Sequence, residues 1–427
     1  MNRTGYLGDL LGQLVERRFA PLRGSSGKPV TEMCANLLAG AGEVSTMRLA
    51  REILGAYARM DDAARRDFFQ HLAQDYDLHP DAVVQAALSY AASRDARQLR
   101  LLLQTAEPRR QELLRRLNHA PGATKELVRM RRDLLALLPE IPELARVDLD
   151  FAHLFQSWFN RGFLVLRQIT WESPASLLEK IIEYEAVHEI GDWEALRARV
   201  DPKDRRCFAF FHPAMPDEPL IFVEVALVKG VPGSVQALLA DGRKPLDPAQ
   251  ADTATFYSIS NCQKGLQGIS FGNSLIKQVV ALLQQELPHL RQFVTLSPIP
   301  GLSGWLRDRA EGGDSSIQAL LDGPDRLDEA GQMRLRRLAA HYLLDVKDKR
   351  DRPRDPVARF HLNNGALVHE IHATADISPR GLKQSCGAMV NYLYDLDQVE
   401  TYHESYAAQG KVAATRAMRQ LARAGQD

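Results

Sequence analysis

The chain has 427 residues, more than one hydrophobic core usually organises, so two domains are expected. Its 54 basic and 54 acidic side chains cancel, which removes bulk attraction to nucleic acid or an anionic membrane and leaves any phosphate-bearing ligand dependent on a local site. Cys34, Cys207, Cys262 and Cys386 are scattered and form no CxxC pair, a pattern of packed thiols in a reducing compartment. Residues 1–6 lack a secretory signal pattern and no apolar run is long enough to span a bilayer, so the cytoplasm is the expected location.

In chain order, the first texture is helical. No glycine occurs between Gly55 and Gly122, and Leu99–Leu103 and Glu112–Leu117 belong to stretches rich in Leu, Ala, Arg and Glu. Pro80, Pro108 and Pro121-Gly122 divide this region into helices of ordinary length, and 138–142 marks its expected end. A further helix is expected over 174–189, in a stretch that suits either domain. The boundary is drawn near 190, giving a helical domain at 1–190 and a second domain at 191–427. Arg109-Arg110, Arg115-Arg116 and Arg131-Arg132 are interleaved with Glu112, Glu126 and Asp133 and read as a solvated helix face. Apolar residues spread around the helices, as in Leu99–Leu103, predict association into a homodimer or a dimer of dimers (homotetramer).

The second texture is mixed α/β. Residues 207–211 and 220–228 read as strands, and Phe256–Ser260 as another. The turn Gln263–Asn273 then carries three glycines. It opens directly into a helix whose apolar face is Leu275, Ile276, Val279, Val280, Leu283 and Leu287. Free N–H groups at such a helix start favour phosphate. Phe293–Ser297 reads as the returning strand; Pro298 and Pro300 stop its ladder and leave Ser297 at a strand end. The segment 307–324 and the run 347–353 read as surface connections around a helix at 326–344. His361 is followed by an Asn364-Gly365 turn signal, which sets it beside a loop. His369, Glu370 and His372 alternate as on a strand and lack the HExxH spacing, so no metal site is proposed.

The runs FYSISNCQKGLQGISFGNSLIK, LSPIPG, ARFHLNNGA, ADISPRGLKQSCGAMVNYLYDL and YEAVHEIGDW, from about residue 70 to 400, resemble the malonyl-CoA decarboxylase family. The resemblance implies release of CO2 from malonyl-CoA to give acetyl-CoA. A carboxylate β to a thioester carries its own electron sink, so no cofactor is expected. It implies a catalytic pair, His361 as proton donor to the enolate and Ser297 as its hydrogen-bonding partner, described in the family as proton acceptor; with no buried Lys or Asp visible in sequence to activate it, an orienting role is favoured here. It also places the CoA pyrophosphate on Gln267, Gly268, Ile269, Ser270, Phe271, Gly272 and Asn273. For the second domain it implies a Gcn5-related N-acetyltransferase-like mixed α/β fold, although residues 263–268 depart from the acetyltransferase Q/R-x-x-G-x-G/A loop. Two alternatives stand beside this reading. One is acyl transfer to an amine, for which Glu224 is the available strand carboxylate; the other is a non-catalytic acyl-CoA sensor.

Overall fold

The computed structural model describes residues 28–40, 42–269, 271, 275–313 and 315–426. The chain divides into two compact units between Leu154 and Phe155, earlier than the boundary drawn near 190. The physical reason lies in 165–200. This segment supplies Ile169, Leu178, Ile181, Leu196 and Val200, which pack with Cys207, Ala209, Phe211 and Phe222 of the second unit's sheet. Among the described residues no helix is long and apolar enough to cross a membrane.

The described part of the first unit is helical: α1 (Val30–Ala39), α2 (Glu43–Ala58), α3 (Asp62–Asp75), α4 (Pro80–Ser93), α5 (Ala96–Thr105), α6 (Arg109–Asn118), α7 (Ala123–Leu137) and α8 (Ala145–Trp158), which runs across the division. Asp61 and Asp95 cap α3 and α5 by accepting N–H bonds from Ala64 and Gln98. The solvated-face reading of the arginines fails for two of them. Arg110 and Arg131 are each 3% exposed. Arg110 pairs with Asp77 at 2.9 Å and with Asp150, and Arg131 with Asp148 at 2.7 Å. Arg116 donates to the carbonyls of Leu37, Leu38 and Gly40, closing the C-terminal end of α1. These partners come from other helices and their connections, and lie outside any local sequence window.

Among the described residues the second unit holds an eight-stranded mixed sheet: β1 (Val165–Ile169), β2 (Arg205–His212), β3 (Met215–Val228), β4 (Thr253–Asn261), β5 (Gln292–Thr295), β6 (Ser297–Pro298), β7 (Leu367–His372) and β8 (Met389–Leu393). The order is β1-β2-β3-β4-β5-β8-β6, with β7 paired to β8. Strand β3 reads as an almost unbroken apolar run because both of its faces are covered. Around the sheet lie α9 (Ala175–Tyr184), α10 (Trp193–Val200), α11 (Val235–Leu239), α12 (Leu275–Glu286), α13 (Leu302–Glu311), α14 (Ser315–Asp322), α15 (Glu329–Leu344), α16 (Pro356–Asn363), α17 (Pro379–Ser385), α18 (Val399–Gln409) and α19 (Arg416–Arg423). This is the expected architecture of a helical region followed by a mixed α/β sheet domain. The segment 307–324 is not a connection. Its polar texture belongs to α13 and α14, which bury Leu302, Trp305, Leu306 and Ile317, and Gly312-Gly313 marks only the turn between them.

One parallel pair sets the geometry. β4 and β5 are parallel, joined through α12, and pair only from Thr253↔Gln292 to Phe256↔Thr295. Beyond that point β4 continues to Asn261, whereas the other chain leaves it and Ser297 pairs with Val390 of β8. The strands therefore splay, and both C-terminal ends point to the same side. The glycine turn leaves one end and Ser297 follows the other.

Candidate active site

Ser297 occupies a strand switch. The Leu296 N–H still donates to Phe256 O at 2.9 Å, and the next residue belongs to β6. The side chain is 6% exposed. His361 lies in α16, a short helix that the Asn-Gly signal had reduced to a loop edge; Asp355-Pro356 is the N-cap and N1 signature that marks its start. Asp355 Oδ1 accepts N–H bonds from Val357 and Ala358 at 2.9 Å each, while Oδ2 accepts from Gly301 N–H at 3.5 Å. One buried carboxylate thus ties the segment after Ser297 to the helix that carries His361. Burial pushes its pKa up to about 6, against the pull of these N–H bonds. Gly365 ends the helix with φ +81°. A Cβ there would stand 2.0 Å from Val399 O, so glycine is required.

The two side chains meet. Ser297 Oγ and His361 Nε2 are 3.1 Å apart, His361 Nδ1 and Tyr394 Oη 2.8 Å, and Ser297 Oγ–H donates to Thr295 Oγ1 at 2.8 Å. Burial alone lowers the His361 pKa to about 3, so the imidazole is neutral at physiological pH. A neutral imidazole has one donor and one acceptor nitrogen. Since the only proton of Ser297 is directed to Thr295, Nε2–H donates to Ser297 Oγ and Nδ1 accepts from the Tyr394 hydroxyl. This tautomer is assigned from the network. The ring also stacks on Tyr392, with centroids 4.5 Å apart and planes at 23°, which fixes its orientation. Thr295 Oγ1 accepts the Tyr392 N–H at 3.1 Å, and Asn391 Nδ2 donates to Thr295 O at 2.8 Å. Thr295, Asp355 and Tyr394 were not singled out from sequence. The signals were present: Thr295 and Ser297 are two apart, and Tyr392 and Tyr394 alternate in NYLYDL.

The glycine turn is described only in part. Ser270, Gly272 and Asn273 lie outside the described residues. Gln267 follows a 3-10 turn at Lys264–Leu266, Gly268 has φ +78°, and Ile269 and Phe271 are buried. Gln263 Nε2 donates to Pro219 O at 3.0 Å and anchors the turn to β3. The YEAVHEIGDW run packs over β4. Glu185 accepts the Ser258 hydroxyl at 2.9 Å and the N–H groups of Val187 and His188 at 2.7 Å. Arg199 Nη1 donates to His188 O at 2.7 Å and to Glu224 at 3.2 Å. Glu224 is wholly buried, and burial followed by the charge of Glu185 pushes its pKa up to about 8 despite Arg199. A proton on a closed-in carboxyl is the wrong state for a base serving an incoming amine.

A helical unit followed by a mixed sheet, with a buried hydroxyl–imidazole chain at the splay of its parallel strands, is the framework of an enzyme. Residues 76–159 match the malonyl-CoA decarboxylase N-terminal domain and residues 162–427 the malonyl-CoA decarboxylase C-terminal domain. The mitochondrial malonyl-CoA decarboxylase of Rattus norvegicus is 32% identical, over 96% of this chain and 90% of that one. The crystal structure of malonyl-CoA decarboxylase from Rhodopseudomonas palustris is similar with a TM-score of 0.87 and 47% identity, covering 92% of this chain and 98% of that chain. The structure of malonyl-CoA decarboxylase from Agrobacterium vitis gives 0.86 and 47%, over 92% and 99%. The chain belongs to the malonyl-CoA decarboxylase family and is a carboxy-lyase.

Proposed function

We propose that the protein converts malonyl-CoA to acetyl-CoA and CO2, with Ser297 and His361 as its catalytic pair. The observation that carries this is the buried chain Tyr394–His361–Ser297–Thr295, which leaves a neutral Nε2–H donor at the splay of β4 and β5. The C–C bond to the carboxylate breaks, CO2 leaves, and its electron pair enters the thioester enolate. The enolate carbon then takes the Nε2 proton. The Tyr394 hydroxyl, which burial keeps protonated, stabilises through its hydrogen bond to Nδ1 the charge left on the ring, and one proton from solvent restores Nε2–H before the next turnover. A neutral imidazole is a competent donor to so basic a centre, and one positioned donor contributes ~10²–10⁴-fold. Among the described residues no carboxylate or lysine bonds to Ser297 to make it a base, and it orients the imidazole. The turn at Gln267–Asn273 holds the CoA pyrophosphate, with Gly268 allowing close backbone approach.

The helical unit is the oligomerisation domain in this reading. Leu88 and Leu103 are 59% and 63% exposed on α4 and α5, and α5 buries none of its side chains. A homodimer or homotetramer by light scattering is the expected result; a monomer at micromolar concentration would contradict it. Four buried free thiols support a reducing compartment, for which we propose the cytoplasm; the rat relative's name places that protein in mitochondria. The test of function is incubation of the purified protein with malonyl-CoA, following CO2 and acetyl-CoA. Equal amounts of the two are expected. Acyl transfer that requires an added amine would establish the transferase reading instead, and CoA binding without turnover the sensor.

A further inference from the structure

A basic feature beside β6 is not used by this chemistry. Helices α13 and α17 pack together, and α17 also packs on β6, the strand that carries Ser297. Ser303 Oγ and Cys386 Sγ, 3.4 Å apart, tie α13 to the end of α17. Between the helices is an open cavity of 530 Å³ bounded by Pro300, Gly304, Arg307, Arg380, Lys383 and Gln384. That volume lies in the range of about 300–1,000 Å³ common to small-molecule sites.

Its charge is one-sided. Arg307, Arg380 and Lys383 are exposed, and among the described residues none forms an ion pair with a carboxylate. They gather in a chain whose formal charges cancel overall. Like charges lining one cavity repel, and a bound anion removes that cost. Gly304 is a second sign. It lies within α13, where glycine costs about 1 kcal/mol relative to alanine, and nothing stands within 4 Å of where its Cβ would be. No close packing requires glycine there, and its effect is to keep that wall of the cavity open.

The chemistry selects among anions. The malonyl carboxylate must lose its charge as CO2 forms, so three cations would hold the ground state more tightly than the transition state and slow the reaction. A phosphate keeps its charge throughout. CoA has a pyrophosphate, already assigned to the glycine turn, and a 3′-phosphate on its ribose. We propose that this cavity binds the 3′-phosphate of CoA through Arg307, Arg380 and Lys383. The proposal rests on the acyl-CoA reading above.

Calorimetry with CoA and 3′-dephospho-CoA tests it without turnover. The unmodified protein is expected to bind CoA about ten- to hundredfold more tightly, the yield of one or two charge-assisted contacts. The Arg307→Gln/Arg380→Gln/Lys383→Gln variant, altered only at exposed positions, should bind both ligands alike, and Gly304→Leu should weaken CoA more than dephospho-CoA. Inorganic phosphate should compete more strongly with CoA than with dephospho-CoA, which shares only the pyrophosphate site. Equal affinity of the unmodified protein for the two ligands would overturn the proposal. So would discrimination that survives in the triple variant, or phosphate binding that does not compete with CoA. A protein that discriminates but does not decarboxylate malonyl-CoA would keep this site and lose the proposed function; one that decarboxylates without discriminating would do the reverse.

Discussion

Replacing Tyr394 by phenylalanine removes one oxygen and leaves Nδ1 of a fully buried imidazole without its partner at 2.8 Å. An unmatched buried polar atom costs about 1–3 kcal/mol. The same loss reaches the transition state twice: the Nε2–H tautomer is no longer enforced, and no hydroxyl hydrogen bond stabilises the ring as its proton departs. Turnover should therefore fall about 5- to 150-fold with KM for malonyl-CoA unchanged. The assay is the steady-state rate of acetyl-CoA formation, with circular dichroism to establish that the variant is folded. On a His361→Asn background the same substitution should cost less than about twofold, because there is no imidazole left to orient. Turnover of Tyr394→Phe within twofold of the unmodified protein, or equal losses on both backgrounds, would refute the tautomer argument.

Asp355→Ala removes the cap of α16 and the tie to Gly301, and should lower stability by about 0.5–2 kcal/mol in chemical denaturation and also lower turnover. Asp355→Asn keeps the acceptor for Val357 and Ala358 and should recover most of the stability, but not the tie to Gly301, whose N–H would face an amide donor. Gly268→Val forces a β-branched side chain to φ +78° at the turn, and calorimetry should show weaker CoA binding with the helical unit still folded. Glu224 titrates near 8 in the folded chain against an ordinary 4.5, so the folded state holds its proton longer. Its contribution to stability is full below about 4.5 and is lost as pH rises to about 8, by at most about 1.4 kcal/mol per pH unit. Denaturant midpoints at pH 6 and 8 should differ less in Glu224→Gln than in the unmodified protein, and an unchanged difference would remove Glu224 from that slope.

Much of the second unit's plan was legible because its signals are local. The apolar face Leu275, Ile276, Val279, Val280 and Leu283 has a helical period and is the buried face of α12. Ser297 next to Pro298 announced the end of a ladder, and the structure adds that the strand resumes against β8. What escaped is set by distant partners. Arg110 and Arg131 look solvated until Asp77, Asp148 and Asp150 fold onto them. The helix of His361 is eight residues long, too short for its period to show, and only the Asp355-Pro356 cap betrays it. Thr295 and Tyr394 act through bonds to residues 2 and 33 positions away, and the second of these no window reveals.

The most direct test of the central claim is His361→Asn, measured for both malonyl-CoA affinity and turnover, beside Ser297→Ala and the double variant. If His361 delivers the proton to the enolate carbon, affinity survives while turnover falls by about two to four powers of ten. The double variant should then lose far less than the product of the single losses, because the pair acts as one unit. Near-normal turnover in His361→Asn, with another histidine such as His212 or His369 proving essential, would contradict the assignment and move the donor elsewhere.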